Sequence, residues 1–169
     1  QTVAPLFGFG DSLQAFSPQR LFTAVNSNIT DVSFFFPGTN EVAATSAFGV
    51  IFTGVEDYGQ TKMEFFDAHG TLIYQHNALV SGNAGFSFLG AVASGGNVIS
   101  RVRLTSGLAT IASNGVLGQG RGDLVAMDDF LYAEPAAVAA VPEPSSVALL
   151  GAGLALVVGM RRRITARNV

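Results

Sequence analysis

Residues 63–75 read MEFFDAHGTLIYQ, and this stretch decides the fold. Its first arm alternates, with Met63 and Phe65 on one side and Glu64 and Phe66 on the other. Its second arm, TLIYQ, is built largely from residues that suit a pleated, half-buried surface. Between the arms, Asp67 and Gly70 bracket Ala68 and His69, the chemistry of a tight turn. Two short arms of period two around such a turn predict an antiparallel β-hairpin.

The pattern continues outward in both directions. Toward the N-terminus, residues 48–55 (FGVIFTGV) put Phe48, Val50 and Phe52 on one face, with Gly49, Ile51 and Thr53 on the other. Residues 32–36 (VSFFF) form a strand stopped by Pro37-Gly38, and residues 21–25 (LFTAV) a shorter one before the turn at 26–28. Residues 6–11 read as a Gly-punctuated strand ending in a turn. Toward the C-terminus, residues 85–92 (GFSFLGAV) repeat the theme with Phe86 and Phe88. Residues 98–105 (VISRVRLT) alternate Val102 and Leu104 against Arg101 and Arg103, and residues 124–132 (LVAMDDFLY) form the last strand. These are roughly seven to nine strands about ten residues apart, with no convincing amphipathic helix. They predict an all-β fold, a jelly-roll or β-sandwich of two antiparallel sheets.

Composition agrees. The 169-residue chain holds 20 Gly and 14 Phe, and Lys62 is its lone lysine. It has no cysteine, so neither a disulfide framework nor a thiolate metal site is available. A net charge of −3 gives no argument for nucleic acid. The length suits one exported β-domain over 1–134, an Ala-rich linker over 135–141, a signal over 142–163 and a short cytoplasmic tail over 164–169.

The end of the chain has its own logic. Pro142-Glu143-Pro144 cannot sit inside a helix and fixes a break. Residues 145–160 carry no charge, and Arg161-Arg162-Arg163 close the run. At about 1.5 Å per residue, this segment spans roughly 24 Å as a helix, slightly less than the bilayer core of about 30 Å. Snorkelling arginines and local thinning make up the deficit. The arginine cluster marks the cytoplasmic side, so a single C-terminal transmembrane helix is expected, N-out and C-in. Residues 1–5 lack a basic start and an apolar core. Export of the body therefore implies either a leader already removed or a chain that begins within a longer product.

A stiff Pro-Glu-Pro, a short apolar span and an arginine cluster, in that order, resemble the PEP-CTERM sorting signal of Gram-negative bacteria that make exopolysaccharide. The resemblance covers residues 141–163 and rests on Pro142, Glu143, Pro144, Arg161, Arg162 and Arg163. It implies recognition by a membrane-embedded exosortase, then delivery to the cell surface or a biofilm matrix. A softer resemblance lies in FFPGT (35–39), FGVIFTGVE (48–56), FFDAHG (65–70), FSFLG (86–90), RVRLTSG (101–107) and MDDFLYAEP (127–135), which look like the bodies commonly attached to this signal. Their expected fold is a jelly roll similar to carbohydrate-binding modules, and they bring no established activity.

Candidate chemistry centres on Asp128-Asp129. Neighbouring strand residues face opposite ways, so at least one of the two lies on or near the packed face. A buried carboxylate needs a cation, an arginine or backbone donors. Structural calcium held with Asp11 or Asp31, or with Glu56, answers that need. The alternatives are the solvated sandwich rim, or pairing with Arg101 or Arg103. His69 and His76 are too far apart along a hairpin to share a metal. Glu56 or Glu64 with an aspartate matches the carboxylates of a glycosidase only in type, and no G-x-S-x-G is present. Gly118 to Asp123, containing Arg-Gly-Asp, reads as a mobile loop. The Asn28-Ile29-Thr30 sequon has the frequency of chance. Tyr58 is the ring most expected at the surface. The expected function is non-enzymatic: a structural or adhesive matrix protein that self-associates through edge strands. The rival is a calcium-bearing carbohydrate-binding module acting on exopolysaccharide.

Overall fold

The computed structural model describes residues 11–18, 20–96, 98–112 and 122–138. Among these, nine strands follow in chain order: β1 (Ile29–Ser33), β2 (Ala43–Ala44), β3 (Ala47–Thr53), β4 (Lys62–Phe66), β5 (Leu72–Asn77), β6 (Phe86–Val92), β7 (Arg101–Thr105), β8 (Ala126–Tyr132) and β9 (Ala136–Ala137). The described residues contain no helix, and every strand pairing is antiparallel.

The β4–β5 hairpin forms where its sequence predicts. Asp67 Oδ1 accepts the N–H of His69 at 2.9 Å and that of Thr71 at 2.8 Å. These donors, Thr71 first, hold the Asp67 carboxyl below its ordinary range. Gly70 supplies the positive φ of 80° that the turn requires.

One sheet has the order β1-β7-β4-β5 and a second β6-β3-β8, while β2 and β9 form a small ribbon. The chain passes repeatedly from one large sheet to the other, so each depends on distant segments. Met63 and Phe65 of β4 and Val102 and Leu104 of β7 bury their side chains in a cluster with Phe48, Val50 and Phe52 of β3, Leu89 of β6 and Met127 of β8. Both large sheets thus share one core, and its alternating residues are those the sequence assigns to the packed face of β3, β4 and β7.

Four readings need correction. The strand expected over 32–36 begins earlier, at Ile29, and ends at Ser33. Phe34 continues the alternation of Thr30 and Val32 and faces inward, and its N–H donates to the Ser100 carbonyl at 3.2 Å. Phe35 bridges Val42 in a separate finger around Pro37-Gly38. Second, residues 21–25 form no strand; Phe22 and Val25 make single bridges to Met127 and Ile111. Third, part of the expected linker is structural, because Ala136 and Ala137 pair with Ala44 and Ala43.

The fourth concerns β6. Ser87 and Leu89 face inward, whereas Phe86 and Phe88 are exposed. The reason lies on the outer face of β6-β3-β8, which is partly covered. Residues 12–17 cross it as a strap: the Ala84 N–H reaches the Ser12 carbonyl, the Gln14 N–H donates to Thr53 Oγ1 at 3.0 Å, and the rings of Phe16 and Phe86 meet edge to face at 5.4 Å. Gly54 permits the close approach; a Cβ there would lie 2.7 Å from the Ser12 carbonyl oxygen. Farther along, the Phe88 ring lies over Gly49 and Gly90, where any Cβ would meet it within 2.9 Å. β3 is therefore buried on both faces, Ile51 and Thr53 included.

Candidate functional site

β8 is bulged where the aspartates sit. Val50 pairs with Phe130 and Phe52 with Met127, so β8 has one extra residue across the interval. A bulge breaks strict alternation and lets neighbouring side chains share a side. Asp128 and Asp129 accordingly meet at one residue of the strap, Ser17. Its Oγ lies 3.1 Å from Asp128 Oδ1 and 2.8 Å from Asp129 Oδ1, and donates between them. Asp128 Oδ2 accepts the N–H groups of Phe16 at 2.5 Å and Ser17 at 3.2 Å. The carboxylate is only 2% exposed, and backbone donors meet its need for compensation.

The other aspartates lie elsewhere. Asp31, on β1, receives a two-pronged contact from Arg103, Nε to Oδ1 at 2.8 Å and Nη2 to Oδ2 at 2.7 Å, with Arg101 Nη1 at 3.4 Å. The Arg103 hydrogen bonds hold its carboxyl below the usual range. On the same outer face, Glu64 pairs across strands with Arg103 and meets Lys62 Nζ at 3.2 Å. The Arg101 guanidinium lies 3.8 Å above the Phe66 ring. Asp11 is exposed in the turn before the strap. Asp31 and Asp128 thus occupy different sheets, and only Asp128 and Asp129 are brought together. Among the described residues, no group of three or more His, Asp or Glu gathers in a way that holds a metal.

Glu64 and Asp128 also stand on different sheets, and Glu56 is exposed. His69 sits in the hairpin turn, while His76 stacks on Tyr74 at 6.2 Å. Tyr58, at 69% exposed, is the surface ring the sequence leads one to expect. The Asn28 side-chain nitrogen donates to the Gly107 carbonyl at 2.6 Å.

Asp123 has a role that sequence reasoning missed. Residues 113–121 of its Gly-rich segment lie outside the described residues, yet Asp123 itself is 3% exposed. Its Oδ2 accepts the N–H groups of Glu56 at 2.6 Å and Asp57 at 3.3 Å, and its carbonyl accepts those of Leu108 and Ala109. Its Oδ1 has no partner among the described residues. Burial pushes the carboxyl above its usual range against the pull of the two N–H donors, and Glu56 and Asp57 add to the rise. No local signal separates this aspartate from a loop aspartate.

The sign of the resulting pH dependence follows. The folded chain takes up this proton at higher pH than the unfolded chain. Just above the ordinary carboxylate range of about 4, the native state therefore holds more protons, and stability falls as pH rises. Asp123→Asn removes that contribution. In urea titrations across this window, the wild type should lose stability relative to the variant as pH rises; parallel curves would contradict the reading.

The chain divides into two units, Gln1–Val138 and Ala139–Val169. The second unit lies outside the described residues, as do Pro142, Glu143, Pro144, Arg161, Arg162, Arg163 and the helix expected over 145–160. Among the described residues, no helix is long and apolar enough to cross a membrane. No curated protein and no solved structure matches the chain. Residues 140–163, however, match the family model described as the PEP-CTERM protein-sorting motif. They include every tail residue singled out from sequence, so the chain carries the address of an exported protein processed by an exosortase.

Proposed function

We infer that this chain is a non-catalytic protein of the cell surface or exopolysaccharide matrix, with a jelly-roll-like body that self-associates. Before processing, the apolar segment 145–160 holds it in the inner membrane, N-out and C-in. Export rests on the sorting-motif match at 140–163. The structural role rests on β5. This strand ends the order β1-β7-β4-β5, and its residues 72–76 are all exposed. Residues 71–77 (TLIYQHN) include no formally charged side chain and no proline. Monomeric sheet proteins blunt such an edge with lysine, proline or a cover, because its open backbone groups template another strand. A groove of about 490 Å³ beside β5, lined in part by Ile73, Tyr74, Val92 and Val98, receives apolar side chains of an added strand. The opposite edge, β1, carries Asp31 and is less suited to pairing with itself.

Two measurements test this. In sedimentation, the protein should assemble with rising concentration and Ile73→Lys should remain monomeric; a wild type that stays monomeric at high concentration removes the self-association. In mass spectrometry of protein from native cells, the C-terminus should lie within or before the motif. A chain intact through Val169 refutes exosortase processing.

A further inference from the structure

The β2–β9 ribbon and the sorting motif are close neighbours along the chain. The ladder ends at Ala137 and the matched motif begins at residue 140, so only Val138 and Ala139 lie between them. Fully extended, that connection spans roughly 7 Å. A folded body of the length of Gln1–Val138 has a radius of gyration of about 14 Å. A membrane-embedded enzyme that must grip extended chain ahead of Pro142 therefore has little free chain to grip while β9 is paired.

Three features make β9 a releasable segment. First, its pairing is minimal: Ala136 and Ala137 meet Ala44 and Ala43, and alanine has little strand preference. Second, β9 adds nothing to the core. Ala43 of β2 belongs to the buried cluster, whereas Ala136 and Ala137 do not, and Ala137 is exposed. Unpairing therefore gives up little apolar burial. Third, the chain has a firm stop just before β9. Thr45 Oγ1 donates to the Ala133 carbonyl at 2.6 Å, and the Ala133 N–H donates to the Ala47 carbonyl at 3.1 Å. Opening ends there and leaves β8 in place. It frees residues 134–137, so the connection grows to residues 134–139, roughly 20 Å when extended.

We propose that the β2–β9 ribbon gates processing: the exosortase acts on the chain only while Ala136 and Ala137 are unpaired from Ala44 and Ala43. The gate rests on processing at the sorting motif and not on self-association through β5. Locally open states of folded proteins are minor, populated at about 0.1–10%. The ribbon thus holds processing below the rate of a permanently open chain by roughly tenfold or more.

The test follows cleavage of the full chain by pulse-chase in native cells, with a thiol reductant added or withheld. Ala44→Cys with Ala136→Cys joins cross-strand partners whose spacing suits a disulfide, and the chain has no other cysteine. Oxidised, this variant should be processed roughly tenfold or more slowly than when reduced. A Gly/Ser linker inserted between Val138 and Ala139 lengthens the connection without touching the ladder. It should speed processing of the otherwise wild-type chain by roughly tenfold or more and rescue the oxidised variant. If the disulfide does not form, the linker in the wild-type chain decides alone. Equal rates in the oxidised and reduced variant, no gain from the linker, or an oxidised variant that the linker does not rescue overturns the gate. A wild type left intact through Val169 overturns processing itself, and the gate with it; a processed wild type that ignores lock and linker overturns the gate alone.

Discussion

Phe52→Ala is expected to destabilise the body by about 4 kcal/mol, the largest single effect among these substitutions. Phe52 is wholly buried near the C-terminal end of β3, and β3 is the central strand of its sheet, with β6 on one side and β8 on the other. Its ring belongs to the cluster that Met63, Phe65, Val102 and Leu104 reach from the opposite sheet. Both sheets therefore line the cavity left behind, and neither can move in to fill it without breaking its own ladder. Domains of this size are stable by only about 5–15 kcal/mol, so the variant keeps a fraction of that. Its melting temperature should fall by roughly 10–20 °C. A loss under about 1 kcal/mol in urea titrations would mean that the two sheets do not share a close-packed core.

Asp128→Ala ranks second, at about 3 kcal/mol. The substitution strands two backbone donors, the N–H groups of Phe16 and Ser17, and leaves the Ser17 hydroxyl with Asp129 alone. Bonds to a charged acceptor contribute about 1.5–3 kcal/mol each. The loss stays below their sum because a released strap regains water. Asp128→Asn keeps an acceptor and should lose about 1 kcal/mol. Asp129→Ala should lose less, because Ser17 can turn wholly to Asp128. Hydrogen exchange separates pinning from packing. In Asp128→Ala the amides of residues 16 and 17 should exchange at the rate of a free segment while β3 stays protected. Unchanged protection at those two amides would refute the pinning.

The legible parts of this chain are those whose cause is local. Asp67 and Gly70 make their turn with groups four residues apart or closer, so the hairpin can be read directly. Alternation identifies the packed faces of β4 and β7 because the other face of each meets water. The rule fails at β6, since it assumes one wet face per sheet. Residues 12–17 and Phe88 cover much of the outer face of β3, and Phe86 and Phe88 belong to that second layer. The bulge at Asp128-Asp129 defeats the same rule, because an extra residue cannot be seen without knowing the partner strand. β2 and β9 are pairs of alanines with no strand preference, joined across more than ninety positions. The sequence allows Arg103 as a partner for Asp128 or Asp129, but the carboxylate it binds is Asp31, seventy-two residues away. Nothing nearby announces the burial of Asp123. The sorting motif is the opposite case: it is a linear signal, and order and spacing along the chain are its whole content.

The β2–β9 ribbon has a mechanical consequence. Tension entering the body from beyond Val138 reaches Ala136–Ala137 first, and that strand is held to Ala43–Ala44 by two residues of ladder. Behind it stands β8, seven residues long and set against the full run of β3. A rising load therefore peels the short strand before it can tear the long one, and only a few ångströms of chain are released at the first step. The ribbon works as a fuse, yielding early and re-forming when the load drops, while the phenylalanine core stays closed.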